Sequence, residues 1–303
     1  MNNKHIIGIV GAGAMGSLFA FFLHNRYTIL LYDTNPNTVQ AIKQGLSVEI
    51  HSEKQTFYPT ISNDPAILAS ADIIFLFIKS FATRDAIDTI QHYIKPDAIV
   101  VTLQNGIGNV ELISSMINNP LVYGTTTIGA TKLSPASVRF GGTGSIIIGG
   151  DSYSHCSTVH SLLQNANLTV TIAPDPKKAL WEKAIINAAI NPLGALLEVP
   201  NGKLIENNNT VKIMAGIIQE ACLVAQANGI MTDSNHIIET TTTVCRNTQN
   251  NFCSMLQDIL AKRKTEIDSI NGAIITFAQQ YSIDTPYNTT VYKLIKYKES
   301  QLI

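Results

Sequence analysis

The chain has 303 residues and a formal net charge of −1, with 45% hydrophobic and 14% charged residues. This length exceeds what one compact core usually holds, so we expect about two domains with ordinary globular cores. The balanced charge and the lack of a long basic run argue against binding to nucleic acids or anionic membranes. Because no apolar run reaches about 18 residues, we expect no membrane span.

The cysteines and the N-terminal residues favour a cytoplasmic protein. The four cysteines, Cys156, Cys222, Cys245 and Cys253, include no CxxC pair, which favours reduced thiols over a disulfide framework or a zinc site. The seven histidines show no ligand spacing, so we expect no metal site. The N-terminal residues lack the basic start, apolar stretch and cleavage site of a signal peptide.

A glycine-rich turn near the N-terminus predicts dinucleotide binding. It lies between an apolar run typical of a buried strand, Ile6–Val10, and a predicted helix over residues 17–23. In this pattern the first glycine permits a tight turn, the second lets the backbone approach a pyrophosphate, and the third lets helix and strand pack closely. The N–H groups at the helix start then face the phosphate charge. The alternative is a glycine turn that serves packing alone. The residues of the turn are Gly11, Ala12, Gly13, Ala14, Met15 and Gly16.

The residue after the second predicted strand bears on which dinucleotide binds. Tyr27–Tyr32 has the composition of a strand, and Asp33 follows it, about 20 residues after Gly13. A carboxylate there accepts hydrogen bonds from an adenosine ribose 2′-OH and repels a 2′-phosphate. No Lys or Arg follows before Lys43, so the sequence favours NAD over NADP. The alternative is an aspartate that only begins a turn ending at Pro36.

Strands and helices alternate through the first half of the chain, which predicts a doubly wound parallel sheet of the Rossmann type. Pro174-Asp175-Pro176 interrupts the pattern, and the apolar residues that follow have helical spacing. We therefore predict an α/β fold with a Rossmann domain over residues 1–174 and an all-helical domain over residues 175–303. Further strands are predicted at 48–58, 72–78, 98–103, 122–126, 145–149 and 168–172, turns at Gly141, Gly142 and Gly144, and helices at 38–44, 64–70, 83–93, 159–165, 180–189, 211–228, 235–246 and 265–281.

Two polar residues follow buried strands, at the edge of an open sheet where ligands bind. Lys79 comes directly after Ile78, and Asn105 follows Leu103 and Gln104. The Asn105 amide both donates and accepts, so it can hold a nicotinamide ribose or a substrate oxygen. The alternatives are a solvated strand end for Lys79 and a simple Asn-Gly turn for Asn105.

A stripe of polar residues opens the second predicted domain. Lys183, Asn187 and Asn191 are spaced by four and fall on one helix face, among residues that are mostly Ala and Ile. On a buried helix such groups need partners or a function, whereas on an amphipathic helix they would simply face solvent. Farther along the chain, Ser254 and Glu266 have simple alternatives as helix-start or surface residues.

Together these segments resemble the ketopantoate reductase (2-dehydropantoate 2-reductase) family, from Ile6 to about Ser300. The resemblance implies reduction of ketopantoate to pantoate with a nicotinamide cofactor, on the route to pantothenate and coenzyme A. It also implies a Rossmann domain joined to an all-helical domain, with the active site in the cleft between them. The most specific part is 254–272. The motifs that carry the resemblance are GAGAMG, the Lys79 strand end, LQNGIG, Lys183 with Asn187 and INP, Pro200-Asn201-Gly202, SMLQD and KTEID.

The resemblance also implies roles for individual residues. Lys183 matches the general acid, and Glu266 matches a carboxylate that positions the lysine and the substrate hydroxyls. Ser254 matches the residue that binds the substrate carboxylate, and Lys79 would lie near the cofactor or the substrate acid. The remaining substrate lining matches Asn105, Asn187, Asn191 and Asn201, and the cofactor-binding set is Gly11, Ala12, Gly13, Ala14, Met15, Gly16, Asp33, Lys79 and Asn105.

Two positions depart from the family pattern. The family usually prefers NADPH and often has a basic residue just after the second strand, where this chain has Asp33 and Thr34. Some members have Gln three residues after the Lys79 position, where this chain has Ala82. The resemblance thus implies NADPH, and Asp33 leaves NADH open. The oligomeric state, monomer or homodimer, is not encoded in these motifs.

Two other functions stay compatible with the sequence. One is a reductase of another small 2-keto acid with the same mechanism, because the substrate lining consists mostly of generic amides. The other is a dinucleotide-sensing protein without catalysis, because Rossmann domains are widely reused. A sensor needs no acid beside the nicotinamide, so the presence of both Lys183 and Glu266 favours an enzyme.

Overall fold

The computed structural model describes residues 5–302 and divides into two compact units. The first, here called the sheet unit, comprises the chain up to Gln104 together with Val110–Pro176. The second, here called the helical unit, comprises Asn105–Asn109 and the chain from Lys177 onward. The sequence instead predicts a single boundary between residues 174 and 175.

The segment after Gln104 joins the helical unit because its backbone is bonded there. The Ile107 N–H donates to the carbonyl of Ser269 at 3.0 Å. Gly106, with φ +89°, approaches the same carbonyl so closely that a Cβ atom would lie 2.3 Å from its oxygen. One boundary near residue 174 cannot place these two segments in the same unit, because they lie on opposite sides of it in the sequence.

The sheet unit contains twelve strands, connected in part by helices, within residues 5–176. The strands are β1 (Ile6–Val10), β2 (Thr28–Tyr32), β3 (Leu46–Ile50), β4 (Glu53–Phe57), β5 (Thr60–Ser62), β6 (Ile73–Leu76), β7 (Ile99–Thr102), β8 (Leu121–Thr126), β9 (Gly129–Ser134), β10 (Ser137–Gly142), β11 (Ser145–Gly150) and β12 (Thr169–Ile172). The helices are α1 (Ala14–Leu23), α2 (Pro36–Lys43), α3 (Thr83–Ile90), α4 (Asn109–Met116, which begins one residue before this part of the unit) and α5 (Tyr153–Asn165).

Eight strands form one sheet in the order β12-β11-β8-β7-β6-β1-β2-β5. Neighbouring strands run parallel except for the pair β8–β11. Every residue of β6 and β7 is buried, as expected for apolar runs at the centre of a parallel sheet. The predicted doubly wound sheet is therefore confirmed.

A second, four-stranded sheet in the order β4-β3-β10-β9 corrects two predictions. Residues 48–58, predicted as strand, hold a turn at His51 and Ser52, both with positive φ, which divides them between β3 and β4 of a hairpin. The glycines predicted as turns partly belong to β10, and β9 was not predicted at all. Both strands hold few apolar residues, so their pairing rather than their composition forms them.

The helical unit carries six α-helices over the described residues from 177 onward. They are α6 (Pro176–Leu197, which begins one residue before the unit), α7 (Asn208–Ala227), α8 (Ser234–Asn247), α9 (Ser254–Leu260), α10 (Asn271–Gln280) and α11 (Pro286–Ser300). The predicted all-helical region is confirmed. The single helix predicted over 265–281 is wrong in part, because the backbone at Ile270 has non-helical angles and α10 begins only after it.

Helix α6 continues past the predicted end at residue 189 and through Pro192. A proline inside a helix leaves the carbonyl four residues earlier without its N–H partner, and that carbonyl belongs to Ala188. The side chain of Asn271 supplies the missing donor, with its Nδ2 atom 3.2 Å from the Ala188 oxygen. Asn271 is fully buried, and it also donates to Asn288 Oδ1 at 3.0 Å.

We expect Asn271→Ala to lower the free energy of unfolding by roughly 2–4 kcal/mol, because it leaves two buried acceptors without a donor. Urea-induced unfolding followed by fluorescence checks this, since Trp181, the one tryptophan of the chain, lies buried in α6. Asn235→Ala, at an exposed position of α8, is the matched control and should not move the midpoint. Equal midpoints for both variants would contradict the expectation.

Helix α7 amends the expectation about membrane spans. Among the described residues it is the helix long and apolar enough to cross a membrane by length and composition, and half of its apolar stretch is buried. In its middle, the carboxylate of Glu220 accepts the N–H groups of Tyr287 and Asn288 at 2.8 and 2.9 Å. This carboxylate therefore caps the start of α11, which is the behaviour of a core helix.

Candidate active site

The glycine turn between β1 and α1 has the geometry that a dinucleotide needs. A Cβ on Gly11, at φ +95°, would lie 2.8 Å from the Phe77 carbonyl oxygen, and one on Gly16 would lie 1.9 Å from the Gly11 oxygen. Around Gly13 the nearest atom would be 3.9 Å away, so the backbone is open to a ligand there. Helix α1 begins at Ala14 with no side-chain cap, which leaves its first N–H groups for an anion. These residues fit a dinucleotide pyrophosphate.

Asp33 is tied to the glycine turn by its side chain. Its Oδ2 accepts the Ala12 N–H at 2.7 Å, and its Oδ1 accepts the Asn35 N–H at 2.9 Å. The second bond is the local turn that the sequence offers as an alternative for this residue. Asp33 therefore both begins a turn and lies beside the predicted cofactor loop.

Sequence reasoning missed a lysine at this turn. The Lys132 ammonium, on β9, donates to the carbonyl of Ala12. Burial lowers the pKa of Lys132, and the nearby Asp33 carboxylate acts in the opposite direction. No sequence signal pointed to Lys132, because its strand was not predicted and 120 residues separate it from Ala12.

The ends of β6 and β7 lie side by side, as the parallel order requires. Lys79 is half-buried just past β6, at the start of a short 3₁₀ helix, Ser80–Ala82. Gln104, past β7, donates from Nε2 to the Ile78 carbonyl at 3.0 Å and to Thr83 Oγ1 at 2.9 Å. This buried amide fixes the two strand ends against each other, which holds the backbone on either side of Lys79.

Three predicted residues of the helical unit form a hydrogen-bonded chain. The Lys183 Nζ donates to Asn105 Oδ1 at 2.8 Å, and the Asn105 Nδ2 donates to Glu266 Oε2 at 3.3 Å. Each comes from a different segment: α6, the loop after β7, and the residue before a 3₁₀ helix, Ile267–Ser269. The fold thus brings together an ammonium, an amide and a carboxylate.

The environment of this chain adjusts its proton affinity. Burial lowers the pKa of Lys183 to about 8, and the negative charge of Glu266 opposes part of that effect. The Glu266 side chain is itself buried, with 8% of its surface exposed. A lysine with this pKa releases a proton near neutral pH far more readily than a solvated one.

The other predicted residues of the helical unit lie on connected segments. The Asn191 carbonyl accepts a hydrogen bond from Cys253 Sγ at 3.4 Å, which anchors the residue before Ser254. The Asn201 N–H donates to the Asn251 carbonyl at 3.0 Å, on the same stretch of chain. Asn187 is half-buried, Asn191 and Asn201 are buried, and Ser254 is exposed as the first residue of α9.

The side chain of Asn201 is buried, and its two polar atoms differ in their hydrogen bonding. Its Nδ2 donates to Thr248 Oγ1 at 2.9 Å, whereas its buried Oδ1 has no hydrogen-bond partner among the described residues. Buried polar atoms are usually paired, so such an oxygen is suited to a donor on a ligand or water.

Residues 5–302, which the structure describes, hold no group of three or more His, Cys, Asp or Glu side chains placed to bind a metal ion.

Comparison with known proteins places the chain in a family. A family model described as "Ketopantoate reductase PanE/ApbA" matches residues 7–152, and one described as "Ketopantoate reductase PanE/ApbA C terminal" matches residues 175–299. The 2-dehydropantoate 2-reductase of Pyrococcus horikoshii is 35% identical over 298 residues, which are 97% of each chain. The chain belongs to the ketopantoate reductase family. As a member of it, the protein is an oxidoreductase, and the sequence resemblance is confirmed.

Solved structures of similar proteins share the fold over almost the whole chain. The PanE/ApbA family ketopantoate reductase from Ralstonia eutropha has a TM-score of 0.91 at 26% identity, covering 98% of this chain and 99% of that one. A ternary structure of D-mandelate dehydrogenase with NADH and anilino(oxo)acetate has a TM-score of 0.91 at 29% identity, with the same coverage. The fold is therefore shared by proteins that are named for different substrates.

Proposed function

We propose that this protein reduces ketopantoate to pantoate with a nicotinamide cofactor, with Lys183 as the general acid. The observation that carries the proposal is the hydrogen-bonded chain of the half-buried Lys183 and Asn105 with the buried Glu266, in which the pKa of the lysine is about 8. The names of the relatives support the substrate, since the similar Pyrococcus horikoshii protein is named 2-dehydropantoate 2-reductase.

The proposed chemistry needs one proton and one hydride at the ketone. The glycine turn and Asp33 would hold the adenosine end of a nicotinamide cofactor, which would supply a hydride for the carbonyl carbon when bound. As negative charge develops on the carbonyl oxygen, the Lys183 ammonium donates a proton to that oxygen, which completes the alcohol. The lysine is left neutral, a state that its burial already favours.

Asn105 and Glu266 position the acid in this scheme. The Asn105 Oδ1 accepts from Lys183, so it directs the ammonium, and its Nδ2 is oriented in turn by Glu266. A fixed amide costs no reorganisation when the charge develops. The Glu266 carboxylate also increases the fraction of Lys183 that is protonated, because it stabilises the ammonium form.

Four further residues form the proposed substrate lining. Asn187 and Asn191 follow Lys183 on α6 at intervals of four, so they face the same side of that helix. Asn201 offers its unused buried Oδ1 to a substrate hydroxyl. Ser254, exposed at the start of α9, would bind the substrate carboxylate, and Lys79 would assist at the cofactor or the substrate acid.

Steady-state oxidation of NADPH and NADH with ketopantoate tests this proposal. We expect rapid turnover with ketopantoate and a kcat/KM far above that for pyruvate or for an aromatic 2-keto acid. No turnover with any keto acid, despite tight dinucleotide binding, would contradict the proposal and favour a sensor.

A reductase of another 2-keto acid is the second candidate. The 29% identity and TM-score of 0.91 to D-mandelate dehydrogenase favour it, because that protein has a different substrate name on the same fold. A higher kcat/KM for benzoylformate, the keto acid of mandelate, than for ketopantoate would establish this candidate instead. The catalytic roles of Lys183 and Glu266 would be unchanged, because both reactions reduce a 2-keto acid.

A further inference from the structure

Two opposite charges flank one residue of the glycine turn. Asp33 accepts the N–H of Ala12 at 2.7 Å, and the Lys132 ammonium donates to the carbonyl of the same residue. Asp33 comes from the end of β2, and Lys132 from β9 of the small sheet. The fold therefore adds a cation at a place where the sequence indicates only an anion.

The cation changes the electrostatics of the adenosine end. Asp33 occupies the position at which an acidic residue faces the ribose 2′-OH, and alone it would repel a 2′-phosphate. Both of its oxygens already accept backbone N–H groups, from Ala12 and Asn35. With Lys132 near it, the formal charge of the pair is zero rather than −1, so the repulsion of a 2′-phosphate is reduced.

Lys132 is also prepared to bind an anion. It is half-buried, so part of the cost of removing its charge from water is already met in the folded protein. A lysine ammonium has three donors, and one of them is used by the Ala12 carbonyl. Charge-assisted hydrogen bonds to phosphate oxygens are among the stronger ones in proteins.

We propose that Lys132 is a cofactor-binding residue whose ammonium binds the 2′-phosphate of NADPH. The proposal rests on the proposed function, in which a nicotinamide cofactor binds at the glycine turn, and it names the group that recognises the adenosine end. In this proposal a chain with Asp33 and Thr34 after its second strand can accept NADPH, because the small sheet supplies the cation instead.

Binding of two cofactor fragments tests this on the full chain without turnover. ADP-ribose and 2′-phospho-ADP-ribose differ only in the 2′-phosphate, and isothermal titration calorimetry gives both Kd values. We expect Lys132→Gln to weaken binding of 2′-phospho-ADP-ribose about tenfold or more and that of ADP-ribose less than about twofold. Lys132→Arg should retain most of the affinity. Lys54→Gln, at an exposed lysine on β4 of the same small sheet, should change neither Kd.

Three results would overturn the Lys132 proposal. Equal weakening of both fragments by Lys132→Gln would mean that the ammonium faces a part common to both, such as the pyrophosphate. Unchanged Kd values for both fragments would mean that the Lys132 ammonium contacts neither of them. If the unaltered chain binds neither fragment, the dinucleotide site fails and this proposal fails with it. If both fragments bind as expected but ketopantoate is not reduced, the reductase function fails and the role of Lys132 stands.

A second variant keeps the test decisive if Lys132→Gln does not fold. Asp33→Asn removes the carboxylate that competes for the ammonium, while its amide oxygen can still accept the Ala12 N–H. We expect it to raise the affinity for 2′-phospho-ADP-ribose several-fold relative to ADP-ribose. An unchanged ratio of the two Kd values would overturn the proposal.

Discussion

Replacing Lys183 with alanine is expected to lower kcat for ketopantoate reduction by about two to four powers of ten, the range for one general acid. The variant removes the ammonium that donates to Asn105, which in turn donates to Glu266. Stopped-flow measurement of a single turnover checks this, because it reports the chemical step apart from product release. Binding of ADP-ribose should be unaffected, since the glycine turn belongs to the sheet unit.

Two control variants make the Lys183 result specific. Lys177→Ala removes an exposed lysine from the first turn of the same helix and should leave kcat near that of the unaltered protein. Lys183→Arg keeps the positive charge, but a guanidinium group has too high a pKa to release a proton near pH 8. This variant should therefore not restore turnover. Near-normal kcat in the alanine variant would refute the acid role of Lys183.

The pKa of Lys183 also determines how the rate of reduction by the unaltered protein depends on pH. The acid must be protonated to act in the reducing direction, and its pKa is about 8. The protonated fraction therefore falls as the pH rises through about 8, and the rate of reduction falls with it. In the direction of alcohol oxidation the neutral lysine is the active form, so the rate of oxidation rises as the pH rises through about 8.

The sequence predicts the glycine turn and the sheet well because both depend on local signals. An apolar run, a turn of fixed glycine spacing and a helix are neighbours in the chain, and their physical roles follow from that order. Helix α6 was likewise predicted from its spacing, although its passage through Pro192 was not. That passage depends on Asn271, which is 83 residues away from the carbonyl it caps.

The site itself depends on contacts that no spacing expresses. Asn105 is 78 residues from Lys183 and 161 from Glu266, so the sequence singles out each residue but not their hydrogen bonds. The family resemblance supplied their joint role as an expectation, and the helical unit brings the three side chains into one hydrogen-bonded chain. Lys132 had neither a local signal nor a motif, and its relation to Asp33 emerged only from the fold.

Glu266→Gln is expected to lower kcat/KM for ketopantoate by roughly 10- to 100-fold, because a charged hydrogen-bond acceptor becomes a weaker neutral one and the Lys183 ammonium loses a stabilising charge. The glutamine oxygen can still accept from Asn105, so the variant removes the negative charge while keeping the shape of the side chain. That charge raises the pKa of Lys183 against the effect of burial. Without it the ammonium is less stable, and the pKa of the lysine falls below its value of about 8.

The pH profile distinguishes this electrostatic role of Glu266 from a structural one. In Glu266→Gln the high-pH limb of kcat/KM should move to lower pH, because the acid loses its proton earlier. A variant that merely loosened the fold would lower the rate at every pH and leave the limb in place. Glu239→Gln, an exposed glutamate on α8, is the matched control and should alter neither rate nor limb. A limb that stays near pH 8 in Glu266→Gln would show that Glu266 does not set the proton affinity of Lys183.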